Sequence, residues 1–256
     1  MQRRTLLLAG AAAAALATWA TVARADVPGV IVAARPSVLP IGRFDALASP
    51  RFGFRGTAFV VGDGRHLVSN HHVVGDAGDA LAQWVVQRPL PDGGQEWRRV
   101  EVVSRDREHD LVLLRLQDGD PLPPLAVADD AVLREGLAVL LMGFPIGGIL
   151  GFQPVTHRGM VSSIAPIALP AANARQLRDQ ALATLRRGSF DIAQLDATAY
   201  PGNSGGPVLD AATGQVVAVV NMVLVRGSRE AALSAPSGIS YAIPGRWVRA
   251  LVDGAR

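Results

Sequence analysis

Residues 201–208 read PGNSGGPV, with Ser204 held between Asn203 and Gly205. This stretch is too rich in glycine for a helix or a regular strand. The apolar, β-prone run 192–200 precedes it, and a second such run, 208–225, follows it. Glycine reaches backbone angles closed to residues with a Cβ, so a tight turn here can hold a hydroxyl outward. The same turn can aim two amide N–H groups at one point beside that hydroxyl, the arrangement acyl transfer requires. A plain surface hairpin containing a serine would read the same way, because Gly/Ser turns are common. The surroundings of the stretch decide between the two.

Outward from that turn, most segments are short, β-branched and bounded by glycine, proline or aspartate, which predicts an antiparallel β protein. Residues 56–61 and 66–69 form an expected hairpin around Gly62-Asp63-Gly64, and 82–88 with 96–104 another around residues 91–94. Further strands are expected at 111–116, 138–143, 156–164, 194–198, 216–225 and 238–243. A short lead-in at 27–36 has room for one or two helical turns ending at Pro36. Residues 171–187 place Leu177, Ala181, Leu182 and Leu185 at helical spacing, which predicts a covering helix with no chemistry of its own. Residues 246–251 should dock as a C-terminal helix with Trp247, Val248 and Leu251 inward.

Composition narrows the function classes. Apolar residues make up 49% and charged residues 18% of 256 residues, which argues against disorder. There is no cysteine, so disulfides and thiolate metal sites are excluded. The formal charge of +3 suggests a basic protein, but all 25 cations are arginines and three of them (Arg3, Arg4, Arg24) precede residue 26. The remaining 22 arginines face 22 acids, so electrostatic binding of nucleic acid loses its support.

Residues 1–25 read as an export signal: a positive start at Gln2-Arg3-Arg4, an apolar run over 5–22, and Ala23-Arg24-Ala25 as a cleavage site. The apolar run is about the 18 residues a spanning helix needs, so a retained anchor is the rival; the cleavage site favours removal after Ala25. Arg3-Arg4 followed by Thr-Leu-Leu also fits a twin-arginine signal. The expected product is exported, periplasmic or secreted, and has no further segment apolar enough to span a bilayer.

A serine nucleophile needs a base and a group to orient that base. Of five histidines, His66 and His157 lie inside strand patterns and His109 directly precedes an aspartate. The pair His71-His72, in LVSNHHVV, stands where a strand ends. For the acid, Asp110 opens the apolar run DLVLLRL and would sit at a rim, half-buried against an imidazole; Asp106 does not abut that run. No carboxylate or histidine lies at a metal-ligand spacing from His71-His72, and no cofactor is expected.

These residues resemble the chymotrypsin-like serine proteases, and among them the HtrA/Deg-type bacterial branch. The matches are GTAFVV at Gly56, LVSNHHVV at Leu67, HDLVLLRL at His109, MGFPIGG at Met142, VTHRGMVSSI at Val155, QLDATAYPGNSGGPV at Gln194 and GISYAIP at Gly238. The resemblance implies an all-β fold of two antiparallel barrels, with a short C-terminal helix and one helical insertion. The barrels would fall at about 38–125 and 135–245 and the helix at 246–254, all within a protease domain 26–256. It implies a triad of His72, Asp110 and Ser204, with His72 chosen because it directly precedes the Val-Val pair. The oxyanion donors would be the N–H groups of Gly202 and Ser204, and the specificity pocket would include Thr198, Ala199, Val225 and Ile239.

Uncharged Thr198 stands where trypsin-like enzymes keep a carboxylate, which implies cleavage after small or medium aliphatic residues in flexible or unfolded proteins. Asn203 stands where digestive proteases keep an aspartate for a newly cut N-terminus, so activation of that kind is not expected. Pro201 departs from the polar residue common in the family and should stiffen the turn. PDZ domains, usual after the protease in HtrA proteins, are not part of the sequence. Protein or peptide substrates are the expected partners, and the oligomeric state stays open. A holdase on the same fold, or an esterase using the same triad, are the alternative functions.

Overall fold

A computed structural model describes residues 26–75, 83–90, 93–147, 151–166, 190–221 and 238–255. The export signal, the helix over 171–187 and Val225 therefore lie outside the described residues.

The chain forms two closed six-stranded antiparallel barrels. The first comprises β1 (Val38–Phe44), β2 (Phe52–Val61), β3 (His66–Asn70), β4 (Gln83–Pro89), β5 (Gln95–Asp106) and β6 (Leu111–Leu116), in the order β1-β2-β3-β6-β5-β4. The second comprises β7 (Ala138–Gly143), β8 (Val155–Pro166), β9 (Asp191–Asp196), β10 (Pro207–Asp210), β11 (Val216–Val220) and β12 (Ile239–Pro244), in the order β10-β11-β12-β9-β8-β7. Closure leaves neither sheet with a free edge. Three α-helices are described: α1 (Val27–Ala34), the single turn α2 (His71–Val74) and α3 (Gly245–Asp253).

Strand alternation explains how the two barrels join. Along β6, Val112, Leu114 and Leu116 fill the first barrel, while Leu111 and Leu113 face a separate core shared with the second. Along β7 the second barrel does the same, with Val139 and Leu141 inside it and Leu140 and Met142 in the shared core. Both faces of these strands are buried, which is why they read as unbroken apolar runs. Helices α1 and α3 add Ala34, Val248 and Leu251 to the same seam. Helix α3 follows the second barrel yet packs on β5 and β6 of the first.

β1 is not among the strands expected from the sequence, and β10 is expected only as part of the β-prone run 208–225. β1 carries Pro40 and Gly42 and has a bulge between Ile41 and Gly42, so neither alternation nor composition marks it. β10 has only four residues and begins at a proline. β9 begins earlier than expected, at Asp191, and β11 ends at Val220. Among the described residues, no helix is long and apolar enough to cross a membrane.

Candidate active site

Three chain segments converge at the seam. Helix α2 and the turn before β6 come from the first barrel, and the 200–206 loop comes from the second. Asp110 precedes β6 in a left-handed conformation, φ +52. Its backbone C=O accepts from His71 N–H at 2.9 Å and from Asn70 Nδ2 at 3.1 Å. Its carboxylate is spread over three further donors. Oδ1 accepts from the His72 backbone N–H at 2.8 Å, and Oδ2 accepts from His72 Nδ1 at 2.6 Å. Asn221, beyond β11 in the second barrel, donates Nδ2 to the same Oδ2 at 2.8 Å.

An ionised carboxylate only accepts, so this contact places the His72 proton on Nδ1 and leaves the Nε2 lone pair free. His72 and Asp110 keep 31% and 23% of their side-chain surface exposed, so the imidazole can reach a substrate. His71 contributes its backbone N–H to Asp110; the ring that meets the carboxylate is that of His72.

The Ser204 loop is shaped by a turn over residues 200–203, closed by Asn203 N–H to Tyr200 C=O at 3.0 Å. Pro201 and Gly202 (φ +106) occupy the two central positions, which is the type II pattern. A Cβ on Gly202 would lie 2.2 Å from the Phe144 carbonyl oxygen, so only glycine fits. Among the described residues, the N–H groups of Gly202 and Ser204 have no acceptor, whereas those of Asn203, Gly205 and Gly206 are all bonded. Two donors two residues apart are thus left without an acceptor in the loop that carries the hydroxyl.

The loop packs directly on the strand that leads into His72. A Cβ on Gly205 would lie 2.4 Å from Ser69 Oγ and 3.0 Å from Asn70 N. One on Gly56 would lie 2.9 Å from Val73 and 3.0 Å from the Ser204 carbonyl oxygen. The structure thus brings the Ser204 loop against the start of α2. Among the described residues no hydrogen bond joins Ser204 Oγ to the His72 ring; such contacts commonly tighten only around a substrate.

Of the expected pocket residues, Ala199 is buried, Thr198 is half-buried and Ile239 is 43% exposed. Ser240 shapes this region. Its hydroxyl donates to Ala197 C=O at 2.6 Å and accepts from Ala199 N–H at 2.8 Å, pinning both sides of Thr198.

The other histidines have separate surroundings. His66 pairs with Asp63 at 2.9 Å in the β2–β3 turn. His157 lies 5.8 Å from Tyr200, and burial lowers its pKa. His109 is buried; its Nδ1 meets Asp106 at 2.7 Å and its ring stacks on Trp247 of α3 at 3.6 Å. Asp106 is therefore committed to His109, and the two brace the turn that carries Asp110. Asn221, Ser240 and this brace escaped the sequence reading, because each acts through partners distant in the chain or through a tertiary stack.

Asn203 is fully buried, and neither end of its amide has a partner among the described residues. Asn203→Asp would place an unpaired carboxylate there, at an expected cost of roughly 3 to 5 kcal/mol at neutral pH. Burial raises the folded-state pKa of such a group. The penalty is therefore absent below its unfolded pKa of about 3.9 and grows as pH rises toward the folded value. Melting temperatures of variant and parent should diverge between about pH 4 and 7; an equal deficit at both ends would contradict this account.

Residues 56–219 match the family model described as a trypsin-like peptidase domain. A Chlamydia trachomatis protein described as a probable periplasmic serine endoprotease DegP-like is 31% identical over 215 residues, covering 84% of this chain and 36% of that protein. The chloroplastic Protease Do-like 1 of Arabidopsis thaliana is 29% identical over 199 residues, covering 77% and 38%. The chain thus spans little more than a third of the length of these curated relatives. A solved HtrA-type protease with a tripeptide superimposes with a TM-score of 0.60 at 23% identity, covering 89% of this chain and 62% of that one. With its two barrels and the match across both of them, the chain belongs to the trypsin-like peptidase family, as a protease domain of the HtrA/DegP type.

Proposed function

We propose that the chain is a serine endopeptidase in which Ser204 is the nucleophile, His72 the base and Asp110 the orienting acid. Ser204 Oγ attacks the scissile carbonyl while His72 Nε2 takes its proton and later returns it to the leaving amine. Asp110 holds the Nδ1–H tautomer and balances the imidazolium that forms. The N–H groups of Gly202 and Ser204 stabilise the oxyanion. The observation that carries this reading is the Asp110 carboxylate, which binds the His72 backbone and ring together and so fixes both position and tautomer.

The substrates are flexible or unfolded proteins and peptides. Thr198 leaves the pocket floor uncharged and Ala199 is small and apolar, which favours small or medium aliphatic side chains at the cut. The chain acts after export, in the periplasm or outside the cell. The signal-like residues 1–25 support this, as do relatives described as periplasmic.

The test combines labelling with a substrate profile. An aliphatic peptidyl phosphonate should form one adduct, mapped to Ser204 by mass spectrometry, and a peptide library should show cuts after Ala, Val or Ile. Failure to label Ser204 overturns the mechanism. A preference for Lys or Arg at the cut overturns the pocket assignment alone.

A further inference from the structure

The two residues assigned as oxyanion donors share an anchor in the opposite barrel. Thr57, fully buried on β2, donates its backbone N–H to the Ser204 carbonyl at 2.9 Å. Its hydroxyl donates to the Gly202 carbonyl at 2.7 Å and accepts from the Phe144 N–H at 3.2 Å. Its own carbonyl accepts from Ser69 Oγ at 2.7 Å, which ties the residue to β3 just ahead of His72. Gly202 and Ser204 are thus each held by their C=O groups on one threonine, while their N–H groups stay open.

We propose that the Thr57 hydroxyl is a positioning element for the oxyanion hole, fixing from the first barrel the angle at which the second barrel's N–H donors meet the substrate. The inference rests on the serine-peptidase reading above. The backbone half of the anchor is open to any residue but proline. The side-chain half requires a hydroxyl, because one group must donate to the Gly202 carbonyl and also accept from the Phe144 amide. A β-branched residue in a buried strand has few χ1 choices, so that hydroxyl is held still. Position matters because hydrogen bonds to a developing oxyanion act through fixed geometry, and a displacement of about 1 Å can cost 10²-fold.

The phenylalanine amide brings a third segment into the arrangement. Phe144 opens the 144–147 loop, where Ile146 (φ +60) donates its N–H to the Pro201 carbonyl at 2.7 Å. The turn that presents the Gly202 N–H is therefore held from one side by Ile146 and from the other by Thr57. The 144–147 loop itself is fastened to Thr57 through the Phe144 amide.

The test compares Thr57→Val, which removes the hydroxyl at nearly constant shape, with Thr57→Ser, which keeps it. In Thr57→Val, kcat should fall roughly 10- to 100-fold with KM changed less than about threefold. Affinity for a peptidyl trifluoromethyl ketone, which places an oxyanion in the hole, should fall by the same factor as kcat. Affinity for an inert product peptide of the same sequence should hold. Thr57→Ser should recover to within about threefold of the parent on both measures. The inference is overturned if Thr57→Val keeps the parent's kcat, if Thr57→Ser is as impaired as Thr57→Val, or if product-peptide affinity falls as far as ketone affinity. Melting curves identify any variant that does not fold. Should Thr57→Val be one, Thr57→Ala replaces it in the comparison with Thr57→Ser, and equal kcat in those two overturns the inference. Phosphonate labelling separates this from the underlying reading: an unlabelled parent sinks the peptidase assignment. A parent and Thr57→Val labelled at equal rates sink only the role of Thr57.

Discussion

Ser204→Ala is expected to lower turnover on the order of 10⁶-fold while leaving the fold intact. The size of the loss follows from how the site works as a unit. Without the hydroxyl, a bound peptide sits against His72 and the oxyanion donors with nothing to form the covalent intermediate. What remains is the stabilisation from binding and the two N–H groups, about 10³- to 10⁴-fold over water. The fold should be indifferent, because the Ser204 backbone, through its carbonyl bond to Thr57, does the structural task. Steady-state turnover on an aliphatic peptide, the phosphonate adduct and a melting curve check all three statements. Retention of more than about 1% of turnover would place the nucleophile elsewhere.

Asp110→Asn should cost about 10⁴-fold in kcat at neutral pH, again without unfolding the protein. Asparagine tolerates the left-handed conformation better than most residues, so φ +52 is retained. The carbonyl bonds to His71 and Asn70 involve only backbone of residue 110 and survive. The side chain, however, must now offer one oxygen and one NH₂ where two donors of His72 approach. If the NH₂ faces Nδ1, the ring must accept there and carry its proton on Nε2, where it cannot take the serine's. If the NH₂ faces the backbone N–H, two donors collide. The collision disfavours the second arrangement, the first leaves the proposed base in the wrong tautomer, and pre-steady-state assays on the variant read the loss directly. An activity within about tenfold of the parent would remove Asp110 from the mechanism.

Legibility of the chain followed the range of its interactions. DLVLLRL could be read as a strand because both faces of β6 are buried, one in its own barrel and one in the seam. The Ser204 turn could be read because glycine is forced at Gly202 by the nearby Phe144 carbonyl. β1 could not, since Pro40 and Gly42 break every local signal and its place comes from pairing with β2 and β4. Asn221 could not either: nothing near it in sequence marks a donor for a carboxylate 111 positions away. His109 gives no local signal beyond standing next to an aspartate, yet its stack on Trp247 links α3 to the acid-bearing turn. Trp247, expected inward with Val248 and Leu251, packs half-buried against the same core as those two and also stacks on His109.

The bond from Asn221 to Asp110 and the bonds from Thr57 to the Ser204 loop cross the seam in opposite directions. Each barrel therefore completes part of a site whose remaining atoms belong to the other. On the proposed mechanism, a chain with both barrels formed but still apart would hold every member of the triad without their assembly. Regain of activity on refolding would then time the docking of the two halves and be silent about every earlier step.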